Sequence, residues 1–514
     1  MRMRRWLVRG AVPLAVLIAA AGVLPASAGG ASAGRALAGS GDAGSGDAGG
    51  LWGPPSALSW HRCPGAKGPH AAVCTRLRVP LSWSQPGGRT ISLYISKLPA
   101  LDPSRKVGVL LFNPGGPGTP GAEAVASDGR TLFSASLQRR FDIVGWDPRG
   151  VGESTAVHCV GPALSPRIPV FPRTAAQFDA LVRHSAAYAA GCAAHSVPGL
   201  LAHVDTVSAA RDIDAIRQAL HQRQINYLGI SYGTYLGMTY ARLFPHRIRA
   251  MVLDGAYDHA MGPQEFLWQE AASLSDVFQR FATWCGASAS CALHGQNVLA
   301  VWNRLLARAR RHPLPAPHAT GGPATVSAGA VLMVLPSLLY FGPASPLATW
   351  PTLGKALAEA QAGDASLLAD DTAVGQPQPA YTAVGCQDTP PQFHGYRDAA
   401  ARLAMARALS PYTSGASEAW EISALCAGWP VPPADPWNGQ PVRGAPPILV
   451  ASAEHDPSTP LPWAQDMHRQ IAGSTLLIAD VTGHTAFLNS ACARGREAAY
   501  LVTGTMPAND RCPS

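Results

Sequence analysis

"INYLGISYGTYLG" (residues 225–237) is an apolar run interrupted by a serine with glycines two positions to either side. Gly229-Ile230-Ser231-Tyr232-Gly233 fits the pattern G-x-S-x-G, with a strand-like stretch before it and a helix-like stretch ending near Pro245 after it. A plain strand-to-helix turn can use the same residue types. The flanking strand and helix favour a nucleophile elbow, in which a sharp, strained turn lifts the Ser231 hydroxyl to the N-terminus of the helix and glycines let the backbones close up around it.

The surroundings fit that reading. "VGVLLFN" (107–113) and "FDIVGWD" (141–147) are short, continuously apolar runs that end in turn chemistry, as parallel strands buried on both faces do. Val207, Ala210, Ile213, Ile216 and Leu220 recur at helical spacing, and "RAMVLDG" (249–255) reads as a further strand. "TRLRVPLSW" (75–83) and "RTISLYISKL" (89–98) alternate like paired antiparallel strands. After Tyr257 the rhythm gives way to helical segments such as "QEFLWQEAASLSDVFQRFATWC" (264–285), and strands return with "PILVASAEHD" (447–456) and "STLLIADVTGH" (474–484). The expected fold is α/β: a mostly parallel sheet with helices on both faces, interrupted by an inserted, mainly helical cap. The expected boundaries are core 51–258, cap 259–430 and core 431–514.

Composition narrows the class. The 514-residue chain is 47% hydrophobic and 14% charged, which describes a globular protein with a sizeable core. Four of the charges behind its net +8 are Arg2, Arg4, Arg5 and Arg9; without residues 1–28 the balance is about +4 and the other arginines are scattered, which argues against a nucleic-acid partner. Residues 1–28 have the three parts of a secretory signal: a basic start, "AVPLAVLIAAAGVL", and Ala26 and Ala28 before a cut. Residues 29–50 are Gly/Ala/Ser-rich and read as a linker or pro-segment. A secreted, extracellular protein with no stable membrane association after signal removal is expected. Ten cysteines fall into local couples, as disulfides in an oxidising compartment would. By proximity Cys63 goes with Cys74, Cys159 with Cys192, Cys285 with Cys291, Cys386 with Cys426, and Cys492 with Cys512.

A serine hydroxyl needs a base, and the base needs an orienting carboxylate. Asp456 and His484 each stand at the end of a late strand, 28 residues apart in the chain. His455 adjoins Asp456 too closely to complete a relay, and Asp254, at the end of "MVLDG", is the competing acid. "LLFNPGGPGTPG" (110–121) puts glycines directly after a strand, where the N–H of Gly115 or Gly116 could join that of Tyr232 as an oxyanion hole. Neither a phosphate-binding glycine motif nor a metal cluster is present in the sequence, so no cofactor and no metal are expected.

"NPGGPG", "FDIVGWDPRGVGES", "INYLGISYGTYLG" with "FPHRIRAMVLDG", "HDPSTP" and the tail "GHTAFLNSAC…YLVTGTMPANDRC" together resemble the secreted tripeptidyl aminopeptidases of actinobacterial type, relatives of the prolyl iminopeptidases in the α/β-hydrolase superfamily. The resemblance spans the mature chain. It implies Ser231 as nucleophile, Asp456 as acid, His484 as base, a helical cap over the site, and peptides with a free N-terminus as substrates. Asn113 stands where prolyl iminopeptidases have a histidine, which draws the chain toward the tripeptidyl branch. Exopeptidase action also needs a carboxylate for the substrate's α-ammonium, and Glu265, Glu270 and Asp388 are the candidates. A carboxylesterase or lipase would use the same triad, and a non-catalytic secreted binding protein is the reading from another class.

Overall fold

A computed structural model describes residues 57–513 apart from 166, 375–376, 390–392, 435–438 and 440. The signal and linker expected over 1–50 lie outside the described residues. Among the described residues twelve strands are formed: β1 (His61–Arg62), β2 (Val73–Pro80), β3 (Thr90–Leu98), β4 (Gly108–Asn113), β5 (Phe141–Asp147), β6 (Ile225–Ile230), β7 (Ile248–Asp254), β8 (Leu314–Pro315), β9 (Thr325–Val326), β10 (Leu449–His455), β11 (Thr475–Thr482) and β12 (Arg511–Cys512). Ten of them make one sheet in the order β1-β2-β3-β5-β4-β6-β7-β10-β11-β12. The pairings β1–β2, β2–β3 and β3–β5 are antiparallel; from β5 to β12 every pairing is parallel. β12 is an addition to the strands expected from the sequence, too short to carry a periodicity of its own.

The continuous apolar runs follow from burial on both faces of this sheet. Along β4, Val109 and Leu111 belong to one hydrophobic core while Leu110 and Phe112 belong to the other. Along β7, Met251 and Leu253 face the first core, and Ala250 and Val252 the second. The first core is closed by α1 (Thr206–Ala219) and α2 (Tyr232–Leu243) and runs on into the segment between β7 and β10. The second is closed by the helices at Ala135–Arg140 and Ala491–Thr503.

The chain between β7 and β10 is mainly helical, with β8 and β9 as a small separate ribbon. Its longest element is α3 (Pro263–Ala287), started by a proline in the first turn, where no amide hydrogen is needed. α3 buries Phe266, Glu270, Leu274, Val277, Phe281 and Cys285 at helical spacing, and Glu270 is the one charged residue among them. Two further helices from this segment reach the site, α4 (Pro379–Asp388) and α5 (Glu418–Leu425), the latter capped by the Ser417 hydroxyl accepting from the Trp420 N–H. No described helix is long and apolar enough to cross a membrane.

The five cysteine couples expected from proximity in the chain are the disulfides observed. Cys63 is bonded to Cys74, which ties the start of the described chain to β2. Cys159 is bonded to Cys192, near the end of the long helix Ala175–His195. Cys285 is bonded to Cys291, just beyond the end of α3. Cys386 is bonded to Cys426, and Cys492 to Cys512 on β12.

Candidate active site

Ser231 sits between the end of β6 and the first residue of α2 with φ 59° and ψ −127°, a left-handed conformation rare for a residue with a side chain. Its N–H donates to the Asp254 carbonyl at 2.9 Å, and its carbonyl accepts from the Thr234 N–H at 2.8 Å. The flanking glycines permit close approach: a Cβ on Gly229 would lie 2.3 Å from the Gly233 carbonyl, and one on Gly233 2.7 Å from the Asn113 carbonyl. The turn therefore has the strain and crowding of an elbow.

The glycine loop after β4 packs directly on this turn. A Cβ on Gly115 (φ 91°) would stand 2.5 Å from the Ile230 carbonyl, 2.9 Å from Ser231 Cβ and 3.3 Å from the Tyr232 nitrogen. The Gly115 N–H, however, donates to Asn113 Oδ1 at 3.0 Å. That corrects the expectation for Gly115, whose amide is engaged inside the loop; the other two residues expected at an oxyanion hole, Gly116 and Tyr232, line the pocket at Ser231. Asn113 is thus a buried brace for the glycine loop.

His484 and Asp456 are in contact with each other. The imidazole Nδ1 is 2.9 Å from Asp456 Oδ1 and 3.0 Å from Oδ2. Asp456 is fully buried and accepts further hydrogen bonds from the Ser458, Thr459 and Thr485 N–H groups and from the Thr459 hydroxyl. Burial alone would push the imidazole pKa down; the charge of Asp456, its hydrogen bond, and the charges of Glu418 and Asp254 outweigh that and leave it raised. The His484 backbone N–H donates to the Tyr340 carbonyl at 2.7 Å, and the Tyr340 ring lies with its centroid 5.0 Å from the imidazole. A Cβ added to Gly255 would be 3.5 Å from His484 Cε1, and its chain neighbour Asp254 holds the Ser231 N–H.

Asp254 does not compete for the imidazole. Its carboxylate accepts the N–H groups of Ala486 and Phe487, at the start of the short helix that follows His484, and its pKa is pushed up to about 6, mainly by burial. His455 turns away to Asp276, at 3.2 Å.

The acids proposed for the substrate amine separate cleanly. Glu265 is exposed in the first turn of α3 and does not line the pocket, which corrects that expectation: it lies on the solvent side of an amphipathic helix. Glu270 and Asp388 are both buried and line the pocket with Ser231, Gly116 and Tyr232. Glu270 accepts the N–H groups of Glu418 (3.2 Å) and Ala419 (2.6 Å) at the start of α5. Asp388 accepts the Thr206 N–H at 2.9 Å and its hydroxyl at 2.7 Å. Glu418, absent from the sequence reading, is a third carboxylate in the same wall and accepts from the Ser458 and Tyr340 hydroxyls. In the sequence, Ser417-Glu418 has only the look of a helix start, so nothing there singled it out.

A family model described as "alpha/beta hydrolase fold" matches residues 108–353, and one described as "TAP-like protein" matches 410–512. Over 476 residues the chain is 33% identical to "Serine protease Hip1" of Mycobacterium tuberculosis, covering 88% of this chain and 89% of that one. It is 31% identical over 480 residues to "Tripeptidyl aminopeptidase" of Streptomyces lividans, covering 88% and 86%. It is also 34% identical over 470 residues to "Carboxylesterase B" of Mycobacterium tuberculosis, covering 85% of each. With its parallel sheet, its Ser231 elbow and relatives matched over most of their length, the chain belongs to the α/β-hydrolase family and is a serine hydrolase.

Proposed function

We propose that this protein is an exported serine peptidase that removes short peptides, tripeptides foremost, or single residues from the free N-terminus of its substrates through an acyl-enzyme. Ser231 Oγ attacks the scissile carbonyl as His484 Nε2 takes its proton, while Asp456 fixes the tautomer and stabilises the imidazolium. The Tyr232 and Gly116 N–H groups receive the developing oxyanion. His484 then protonates the leaving amine, and water repeats the cycle to free the N-terminal fragment. The relative named as a tripeptidyl aminopeptidase supports the fragment length, and five disulfides support an oxidising destination.

The observation that carries the reading is the set of carboxylates, Glu270, Asp388 and Glu418, in the wall of the pocket that contains Ser231. The Glu270 pKa is pushed well above the usual carboxylate range by burial first and by the charge of Glu418 next. A substrate α-ammonium would relieve that repulsion; an ester or an N-blocked peptide brings no such cation.

Glu270→Gln and Glu418→Gln test it. Each is expected to raise KM for a free-amine tripeptide anilide by about 10- to 100-fold, the loss of a hydrogen bond to a charged group, and to spare its N-acetylated counterpart. Equal losses on both substrates would discard the reading. The esterase reading has one observation in its favour, the relative named as a carboxylesterase. Cleavage of a short acyl ester with no release from any free-amine peptide would establish it instead.

A further inference from the structure

Tyr232 brings more than a backbone amide to the pocket at Ser231. Its side chain is buried, and its hydroxyl is hydrogen-bonded to the Thr206 hydroxyl. Thr206 is the first residue of α1, where a helix leaves its amide hydrogens without partners of its own. Asp388, the last residue of α4, meets that need: Oδ1 accepts the Thr206 N–H at 2.9 Å and Oδ2 the Thr206 hydroxyl at 2.7 Å. The Thr206 hydroxyl has one hydrogen and gives it to the carboxylate, so in the bond with Tyr232 the phenol is the donor. Burial first, and the charge of Asp388 next, hold the Tyr232 pKa well above its usual value, which keeps that hydrogen in place. The chain of donors therefore runs from Tyr232 to Thr206 to Asp388.

A second path closes on the same acid. The Tyr232 ring stands edge-on to that of Tyr235, three residues further along α2, with centroids 6.2 Å apart. The Tyr235 ring is stacked on His259, with centroids 4.1 Å apart. A carbonyl only accepts, so His259 Nε2 donates to the Asp388 carbonyl, at 2.6 Å. All five residues are buried, and Cys386, two positions before Asp388, is bonded to Cys426. The Tyr232 side chain is thus held between the core and the helical insertion, directly after the strained Ser231. Such a turn persists only where its surroundings over-determine it. The core contributes the Asp254 carbonyl on the Ser231 N–H and the Tyr227 hydroxyl donating to the Gly233 carbonyl at 2.7 Å. Asp388 adds a hold from the inserted segment.

We propose that Thr206 and Asp388 are positioning residues for the oxyanion hole: through the Tyr232 side chain they fix the direction of its backbone N–H. The inference rests on the assignment of that N–H to the oxyanion above. It goes beyond it in giving Asp388 a task independent of the substrate's charge. A carboxylate that only received the α-ammonium would be felt by free-amine substrates alone. A group that orients an oxyanion donor is felt by every acyl group that Ser231 attacks, ester or amide. The insertion then takes part in the chemistry as well as in recognition, since the acid at the end of the chain of donors belongs to it.

Thr206→Val removes the hydroxyl while keeping the shape and the N–H to Asp388, and Tyr232→Phe removes the other end of the same bond. Both variants, their double variant and Thr206→Ser are assayed for kcat and KM on a free-amine tripeptide anilide and on a short acyl ester, with circular dichroism to establish folding. Loss of a whole oxyanion donor costs about 100- to 1000-fold; a donor kept but turned should cost about tenfold in kcat, on both substrates, with KM unchanged. The double variant should lose no more than either single one, because both cut one bond, and Thr206→Ser should restore the rate. A peptide boronic acid, which forms a tetrahedral adduct on serine, should bind about tenfold more weakly to each single variant, a change that a purely structural role would not produce. Native kcat in either folded single variant overturns the proposal, as do multiplied losses in the double variant or an unchanged affinity for the boronic acid. A loss confined to the free-amine anilide overturns it too, and places Thr206 with ammonium recognition. Tyr232→Phe leaves the Thr206 hydroxyl on Asp388, so it carries the test if Thr206→Val does not fold. If the native enzyme cleaves the ester and no free-amine peptide, the peptidase reading falls by itself, and the ester and boronic acid measurements decide the role of Thr206 and Asp388.

Discussion

Replacing Asp456 by asparagine tests the base–acid pair most directly. The two carboxylate oxygens are fully committed: Oδ1 accepts from the Ser458 and Thr459 N–H groups at 2.9 and 2.8 Å, and Oδ2 from the Thr485 N–H at 2.8 Å and the Thr459 hydroxyl at 2.9 Å. An amide NH2 in place of Oδ1 would face two backbone donors. In place of Oδ2 it would face one donor and one hydroxyl able to turn into an acceptor. The second orientation is the cheaper, and it orphans the Thr485 N–H at a cost of about 1–3 kcal/mol. His484 Nδ1 then lies between an oxygen and an NH2 where it had two oxygens. The tautomer that leaves Nε2 free to take a proton loses its support, and so does the imidazolium. Triads treated in this way lose about four orders of magnitude in kcat, roughly 5 kcal/mol of barrier, several times more than the fold loses. The assay is kcat on a free-amine tripeptide anilide, with circular dichroism to establish folding. A folded D456N enzyme keeping more than a tenth of the native kcat would refute the reasoning.

Further outcomes follow from the same geometry. Because His484 acts as a base only when neutral and its pKa is raised, kcat/KM should fall with acidification through a midpoint above the ordinary imidazole value of about 6.5; in Glu418→Gln, which removes one of the charges that raise it, the midpoint should move to lower pH. Gly115→Ala places a methyl 2.5 Å from the Ile230 carbonyl at φ 91°, so activity should drop at least 100-fold and Tm by several degrees, read by anilide turnover and thermal melts. Cys386–Cys426 links α4 to the residue that ends α5 across 40 positions; Cys386→Ala/Cys426→Ala should cost about 4 kcal/mol in unfolding free energy and raise KM for free-amine substrates, since Asp388 and Glu418 sit on the helices so joined.

How much could be seen in the chain alone depended on how local the governing physics is. The elbow was legible because strand, strained serine and crowding glycines are consecutive residues, 229 to 233. Asp456 and His484 were legible because each ends an apolar strand whose pattern is a few residues long. The parallel core announced itself through burial on both faces, visible in "GVLLFN" as an unbroken apolar run. The direction of the Gly115 N–H was not legible, since it depends on the conformation that the Asn113 side chain takes inside the loop. Glu418 and the exposure of Glu265 were hidden for a larger reason. Which acid of a helical insertion faces the serine is decided by how α3, α4 and α5 pack on one another, and amphipathic spacing gives a helix's buried side without naming what lies across from it. Glu270 lies on such a buried face and Glu265 does not.

Asp254 gives its carbonyl to the Ser231 N–H and its carboxylate to the turn that follows His484. One buried residue of the sheet thereby ties the two turns together, while the roof holds His484 from the other side through the Tyr340 carbonyl. Remodelling of that roof, which carries both Tyr340 and Glu418, would therefore alter the hold on the imidazole and the charge beside it together with the lining of the pocket.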